Sequence, residues 1–165
     1  MAPGVDESRE LNEEPLTLAS RLARLKAEAV AARRPQAVVI GSDQVAACGR
    51  QMLGKPGNEA RCSEQLRAMS GQRVNFYTAV HVIDAKGNRA AHVDITTVHF
   101  RPLSDDEIAR YVKREQPFDC AGGFKVEGLG ITLFERIDSQ DPTSLIGLPL
   151  IWLAAALRRA GFALP

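Results

Sequence analysis

The residues of this 165-residue chain whose types could do chemistry fall in three short segments. Gly41-Ser42-Asp43-Gln44 follows the apolar run Ala37-Val38-Val39-Ile40, which reads as a strand covered on both faces with a polar loop at its carboxyl end. Open α/β sheets place ligands at such strand ends, so Asp43 is a candidate base or metal ligand, with a helix cap or turn residue as the plainer alternative. Lys55 lies in Leu53-Gly54-Lys55-Pro56-Gly57, where two glycines and a proline fix a tight loop around one ammonium. A lysine held that way beside a carboxylate is what phosphoryl chemistry uses to neutralise charge, although an ordinary surface lysine has the same look. The third segment, Phe118 to Gly130, sets Asp119, Lys125 and Glu127 among glycines and an alanine, so a ligand could approach the backbone closely. Its Gly128-Leu129-Gly130 is no dinucleotide fingerprint, because a strand-like Ile131-Thr132-Leu133 follows instead of a helix. His81, His92 and His99 lack zinc-site spacing and read as polar residues on strand faces.

The elements that must position these groups follow from periodicity. Leu18, Leu22, Leu25 and Ala29 recur at helical spacing until Arg33-Arg34-Pro35 stops the helix. Asn58 caps a second helix with Cys62, Leu66 and Met69 facing inward, closed by Ser70-Gly71. Val74, Phe76, Thr78, Val80 and Val82 alternate as a strand, Lys86-Gly87-Asn88 turns the chain, and residues 90–100 return beside it. Ser104-Asp105-Asp106-Glu107 is a capping box opening a helix to about Arg114. Residues 131–137 read as another strand, and a final helix runs from near Pro149 to Gly161. The expected architecture is α/β, a mixed sheet of parallel and antiparallel strands with flanking helices, in one domain spanning residues 1–165.

Composition narrows the function classes. Twenty-one Lys and Arg against twenty Asp and Glu leave a formal charge of +1, so no whole-chain field attracts a polyanion. Arg33-Arg34 and Arg158-Arg159 are the only hints of nucleic-acid binding, and two tyrosines offer little stacking. Aromatic residues make up 5%, so aliphatic side chains are expected to fill the core. Cys48, Cys62 and Cys120 are an odd number with no C-x-x-C pair, which suits reduced, mostly buried thiols in a cytosol. No run approaches the roughly 20 apolar residues of a membrane span, and the first residues lack signal-peptide character. A soluble, cytoplasmic protein with no membrane or nucleic-acid partner is expected.

Taken together, the segments resemble the Maf-type nucleoside triphosphate pyrophosphatases from Ala2 to Gly161. The matching motifs are Val5-Asp6-Glu7, Arg24-Leu25-Lys26-Ala27, Gly41-Ser42-Asp43-Gln44, Leu53-Gly54-Lys55-Pro56, Phe76-Tyr77-Thr78-Ala79, Phe118-Asp119-Cys120-Ala121-Gly122, Glu127-Gly128-Leu129-Gly130 and Gly147-Leu148-Pro149-Leu150. The resemblance implies an inosine-triphosphatase-like (Maf) fold, a homodimer, and metal-dependent cleavage of a nucleoside triphosphate between its α and β phosphates. It assigns Asp43, Lys55 and Lys26 to catalysis, Asp43 as base for the attacking water, and Glu7 with Asp43 to Mg²⁺ or Mn²⁺. Gln44 and Glu127 resemble the branch acting on 7-methyl-GTP: a carboxylate accepts from both N1 and the exocyclic amine of guanine, and N7 methylation makes that base cationic. Family members open with a strand, a Ser-x-Ser-Pro-x-Arg loop and a helix before the Val-Asp-Glu motif, whereas this sequence begins almost at Val5. By that comparison the fold is N-terminally shortened, and the alternative function is a weakly active or non-catalytic nucleotide-binding protein.

Overall fold

A computed structural model describes residues 1–165. The helix α1 (Pro15–Ala31) starts on a proline, whose missing N–H would have had no intrahelical partner, and buries Leu18, Ala19, Leu22, Ala23 and Ala27 as one stripe. Four further elements follow: β1 (Val39–Cys48), β2 (Gln51–Leu53), α2 (Glu59–Met69) and β3 (Arg73–Ile83). After them come β4 (Arg89–Phe100), α3 (Asp105–Glu115), β5 (Phe134–Asp138) and α4 (Leu150–Arg159). Asn58 caps α2 by accepting from Arg61 N, and Ser104 with Glu107 forms the expected capping box on α3.

The class is α/β, with one five-stranded sheet in the order β2-β1-β3-β4-β5. β1 pairs antiparallel with β2, Ala46 opposite Leu53, and β4 pairs antiparallel with β5, Val98 opposite Ile137. The sheet is antiparallel, so the parallel part anticipated from the strand–helix–strand order is replaced. The cause is β2, three residues that reverse the chain before α2 carries it back, so that β3 enters opposite to β1 rather than alongside it.

Two local readings also change. β1 does not end at Ile40: it runs on through Gly41, Ser42, Asp43 and Gln44 to Cys48, so these four residues are mid-strand rather than a loop. Residues 129–133 form a 3-10 helix, and the strand begins only at Phe134. Thr132 Oγ1 donates to Leu129 O at 2.7 Å, turning the segment back on itself.

The chain forms two compact units, residues 1–44, 77–95 and 140–165 in the first and residues 45–76 and 96–139 in the second. In the first, Val80 and Val82 of β3 pack on Leu153 and Ala156 of α4, and Ala27 of α1 packs on Val39 and Ile83. The second is held by rings. Phe124 meets Phe76, Phe100 and Phe134 edge to face with centroids 5.3, 5.5 and 4.9 Å away, so four of the six phenylalanines concentrate in one cluster. All three cysteines are free thiols; Cys62 is buried, and its pKa is pushed up by burial to about 11. No helix is long and apolar enough to cross a membrane.

Candidate active site

In the first unit the strand's alternation divides the Gly41–Gln44 motif between two faces. Gly41 and Asp43 face α1. A Cβ at Gly41 would lie 2.4 Å from Ala23 O and 2.6 Å from Ala27 N, so the helix rests directly on the strand where no side chain intervenes. Lys26 belongs to that same helical turn. Its ammonium donates to Asp43 Oδ1 at 2.6 Å, two residues along the strand from Gly41, and lies 2.8 Å from Glu7 Oε1. Burial disfavours the charge on Lys26, but its hydrogen bonds to Asp43 and Glu7 outweigh that, and its pKa is raised above the ordinary lysine value.

Glu7 reaches Lys26 because the segment that follows it, residues 8–13, is clamped to α1. Arg21 makes a two-pronged pair with Glu13, 2.7 Å to Oε1 and 2.8 Å to Oε2, and its guanidinium also donates to Ser8 O at 2.9 Å. The Glu13 side chain is only 4% exposed, and the guanidinium holds its carboxyl down at about 2. Arg9 Nε donates to Glu13 O, closing residues 8–13 into a compact turn.

Ser42 and Gln44 face the other way, toward the chain between Asp141 and Pro149. Ser42 Oγ is 2.9 Å from Ala79 O and 2.8 Å from Gly147 O. Gln44 Nε2 donates to Thr78 Oγ1 at 2.9 Å and to Ser144 O at 3.0 Å, while Thr78 Oγ1 donates to Ser144 O at 2.9 Å. Gln44 thus uses its nitrogen to hold the protein together. Asp141 stiffens the same stretch by accepting from Thr143 N at 2.9 Å and from Ile151 N, at the start of α4, at 2.7 Å.

Lys55 and Glu127 belong to the second unit, on exposed loops. Gly54 O accepts from Gly122 N at 3.4 Å and from Gln65 Nε2 at 3.2 Å, and Gly57 N donates to Phe118 O at 2.8 Å, so the Lys55 loop is pinned on both sides. Charge from Lys125 and Lys55 helps hold the Asp119 carboxyl below the ordinary range, behind its local hydrogen bonds. The turn bearing Glu127 is fixed by Glu115, which accepts from Leu129 N at 2.8 Å, and by Gly130, where a Cβ would fall 2.3 Å from Lys125 O.

This architecture has known relatives. The profile of the family described as "Maf-like protein" matches residues 1–160. The chain belongs to the Maf family. Among similar curated Maf proteins, a 7-methyl-GTP pyrophosphatase of Xanthomonas oryzae pv. oryzae (strain MAFF 311018) is 56% identical over 163 residues, 99% of this chain and 85% of the relative. One of Alkalilimnicola ehrlichii is 56% identical over 161 residues, 97% of this chain and 81% of the relative. One of Cupriavidus metallidurans is 50% identical over 161 residues, with the same 97% and 81% coverage.

Of the six site residues expected from the Maf resemblance, Glu7, Lys26 and Asp43 meet at one ammonium, and Gln44 follows on the opposite face of the same strand. Sequence reasoning missed Arg21, Glu13, Thr78, Ser144, Asp141 and Glu115. Their work is to hold other residues in place over separations that no local pattern encodes; the one available signal was the pair Glu13-Glu14 directly before an apolar helix.

Proposed function

We propose that this chain is a nucleoside triphosphate pyrophosphatase that hydrolyses 7-methyl-GTP to 7-methyl-GMP and pyrophosphate. The observation that carries the reading is the Lys26 ammonium held between Asp43 and Glu7, a compact set of one cation and two hard oxygen donors. The relatives that are 50% and 56% identical over nearly the whole chain are named for that substrate. The same reading makes the protein a cytoplasmic homodimer that acts on free nucleotides rather than nucleic acid.

In the reaction, a water oxygen bonds to the α phosphorus as the bond from that phosphorus to the α–β bridging oxygen breaks, and pyrophosphate leaves with the electron pair. Asp43 accepts the proton lost by the water. Lys26 and Lys55 neutralise charge building on the phosphate chain, and a fixed ammonium does so without reorganising during the step. No group of three or more His, Cys, Asp or Glu side chains forms a ready cage for a metal, but Glu7 and Asp43 converge as a pair. That fits Mg²⁺ or Mn²⁺, which bind through one or two carboxylates plus substrate phosphates; Glu7 and Asp43 would hold such an ion, and it would supply positive charge against the phosphate oxygens. Glu127 meets the N1 and amine edge of the base, where the cationic ring of 7-methylguanine favours a carboxylate, and Gln44 presents its carbonyl oxygen.

The test is pyrophosphate release from 7-methyl-GTP by the wild type and by Asp43→Asn under saturating Mg²⁺. The wild type should turn over and the variant should lose at least about 10²-fold in rate, the usual contribution of a positioned base. A variant keeping more than about a tenth of the rate removes Asp43 as the base. Binding of 7-methyl-GTP by the wild type without pyrophosphate release makes the chain a nucleotide-binding protein instead.

A further inference from the structure

In the second unit a cavity of ≈ 280 Å³ opens between α3 and the 3-10 segment Leu129–Leu133. The α3 side is a single stripe, because Glu107, Arg110, Tyr111 and Arg114 recur at helical spacing. Tyr111 and Leu133 are buried and form the floor, while Arg110 and Arg114 stand exposed at the rim. Arg101 enters from the opposite side, and its guanidinium is already held by Glu107 Oε1 at 2.7 Å and Thr132 O at 2.9 Å.

Arg110 and Arg114 differ from Arg101 in having no ion-pair partner. Of the acids around them, Glu107 is engaged by Arg101 and Ser104 N, Glu115 by Leu129 N and Asp105 by Arg67, and Asp106, four residues before Arg110, forms no ion pair with it. Like charges four residues apart on a helix repel, so this pair costs stability unless an anion bridges it. The helix dipole accounts for basic residues in the last turn, Lys113 and Arg114, but not for Arg110 a full turn earlier. Two guanidiniums at one cavity mouth present the fork geometry that grips phosphoryl oxygens in parallel pairs. A groove of ≈ 280 Å³ is ample for a pyrophosphate or the phosphate end of a nucleotide.

We propose that this cavity is a second anion site, in which Arg110 and Arg114 clamp a phosphoryl group of two or more negative charges over the Tyr111–Leu133 floor. The shared chemistry could come from inorganic pyrophosphate or from a nucleoside monophosphate, whose base would lie on Leu129. The lining contains none of Glu7, Lys26, Asp43, Gln44, Lys55 or Glu127, and only Leu129 shares the turn that bears Glu127, so the proposal does not depend on the pyrophosphatase reading.

The test is a backbone-amide NMR titration of the full chain with inorganic pyrophosphate and, separately, with guanosine monophosphate. Saturable shifts in residues 107–115 and 129–133 are expected for the wild type. In Arg110→Gln/Arg114→Gln these shifts should weaken by about a hundredfold in affinity, roughly tenfold per lost charge-assisted contact, while shifts at residues 24–28 and 41–44 persist. Both side chains are exposed and their repulsion is removed, so a melting temperature equal to or slightly above that of the wild type is expected and confirms that the variant is folded. Comparable response to both anions assigns recognition to the phosphoryl group alone, and a stronger response to the monophosphate adds contact between the base and Leu129. No saturable response at α3, or an equal one in the double variant, overturns the proposal.

Discussion

Replacing Gly41 by alanine adds one carbon to the strand and tests how α1 brings Lys26 to Asp43. The new Cβ would lie 2.4 Å from Ala23 O, 2.6 Å from Ala27 N and 2.8 Å from Ala27 Cβ. Two of the three are helix backbone atoms that cannot rotate aside, so α1 must retreat by about 1 Å to recover ordinary van der Waals separation. Overpacking of this kind costs about 1–3 kcal/mol. The same retreat stretches the 2.6 Å contact between Lys26 and Asp43 beyond hydrogen-bond range, and a misplacement of that size can lower a rate by about 10²-fold. Urea unfolding should therefore show a lower midpoint with an unchanged slope, and pyrophosphate release should fall far more than the folded fraction does. Gly54→Ala is the matched control, since nothing lies within 4 Å of the added carbon. It should stay within about 0.5 kcal/mol of wild type. A Gly41→Ala protein with wild-type midpoint and rate would refute the close rest of α1 on β1 and, with it, the account of how Lys26 is positioned.

Glu127→Gln should reduce the preference for 7-methyl-GTP over UTP by about tenfold or more, since it keeps the shape and removes the charge; unchanged ratios of kcat/KM would exclude Glu127 as the base reader. The carboxyls of Glu13 and Glu107 are held at about 2 against an ordinary value of 4.5, the first chiefly by Arg21 and the second chiefly by Ser104 N with Arg101 behind it. A depressed carboxyl contributes stability that is full above the unfolded value and lost as pH falls through the folded one, so urea midpoints should drop between pH 4.5 and 2. Glu13→Gln should flatten that acid limb and lower the midpoint at neutral pH, and an acid limb of wild-type steepness would show that the Arg21 clamp contributes nothing.

Helices announced themselves because their signals are local: Asn58 and Ser104 cap within three residues of themselves, and the α1 stripe repeats within one turn. Strand β1 did not, since Ser42, Asp43 and Gln44 look like a loop until their distant partners are seen. Each satisfies its polar group against chain that is remote in sequence, which lets three polar residues sit consecutively within a sheet. β2 escaped notice because three residues are too few to show alternation, and that omission alone inverted the expected direction of β3. Ile131-Thr132-Leu133 misled in the opposite sense, as an apolar alternation whose backbone is curled by Thr132. At the site, Asp43 drew attention as an acid after an apolar run, whereas Lys26 and Glu7 are an ordinary helical lysine and an ordinary early glutamate, and only the family motifs singled them out.

The links from β1 to the segment before α4 have a consequence for the order in which the molecule can be made. Ser42 bonds Gly147 and Gln44 bonds Ser144, separations of 105 and 100 residues. During synthesis the strand that carries Asp43 emerges first and must wait for more than half the chain before its polar side chains find their acceptors. Contacts this remote close late and slowly, because the entropy of a long loop is lost before the bonds return anything. A chain stalled before residue 144 therefore holds Ser42 and Gln44 only through their contacts to Ala79 O and Thr78 Oγ1, with the far side of the sheet uncovered, which is the kind of state that chaperones hold and proteases cut. The Gly41–Gln44 motif is written in the first third of the sequence, yet its last acceptors, Ser144 O and Gly147 O, arrive only near the end of translation.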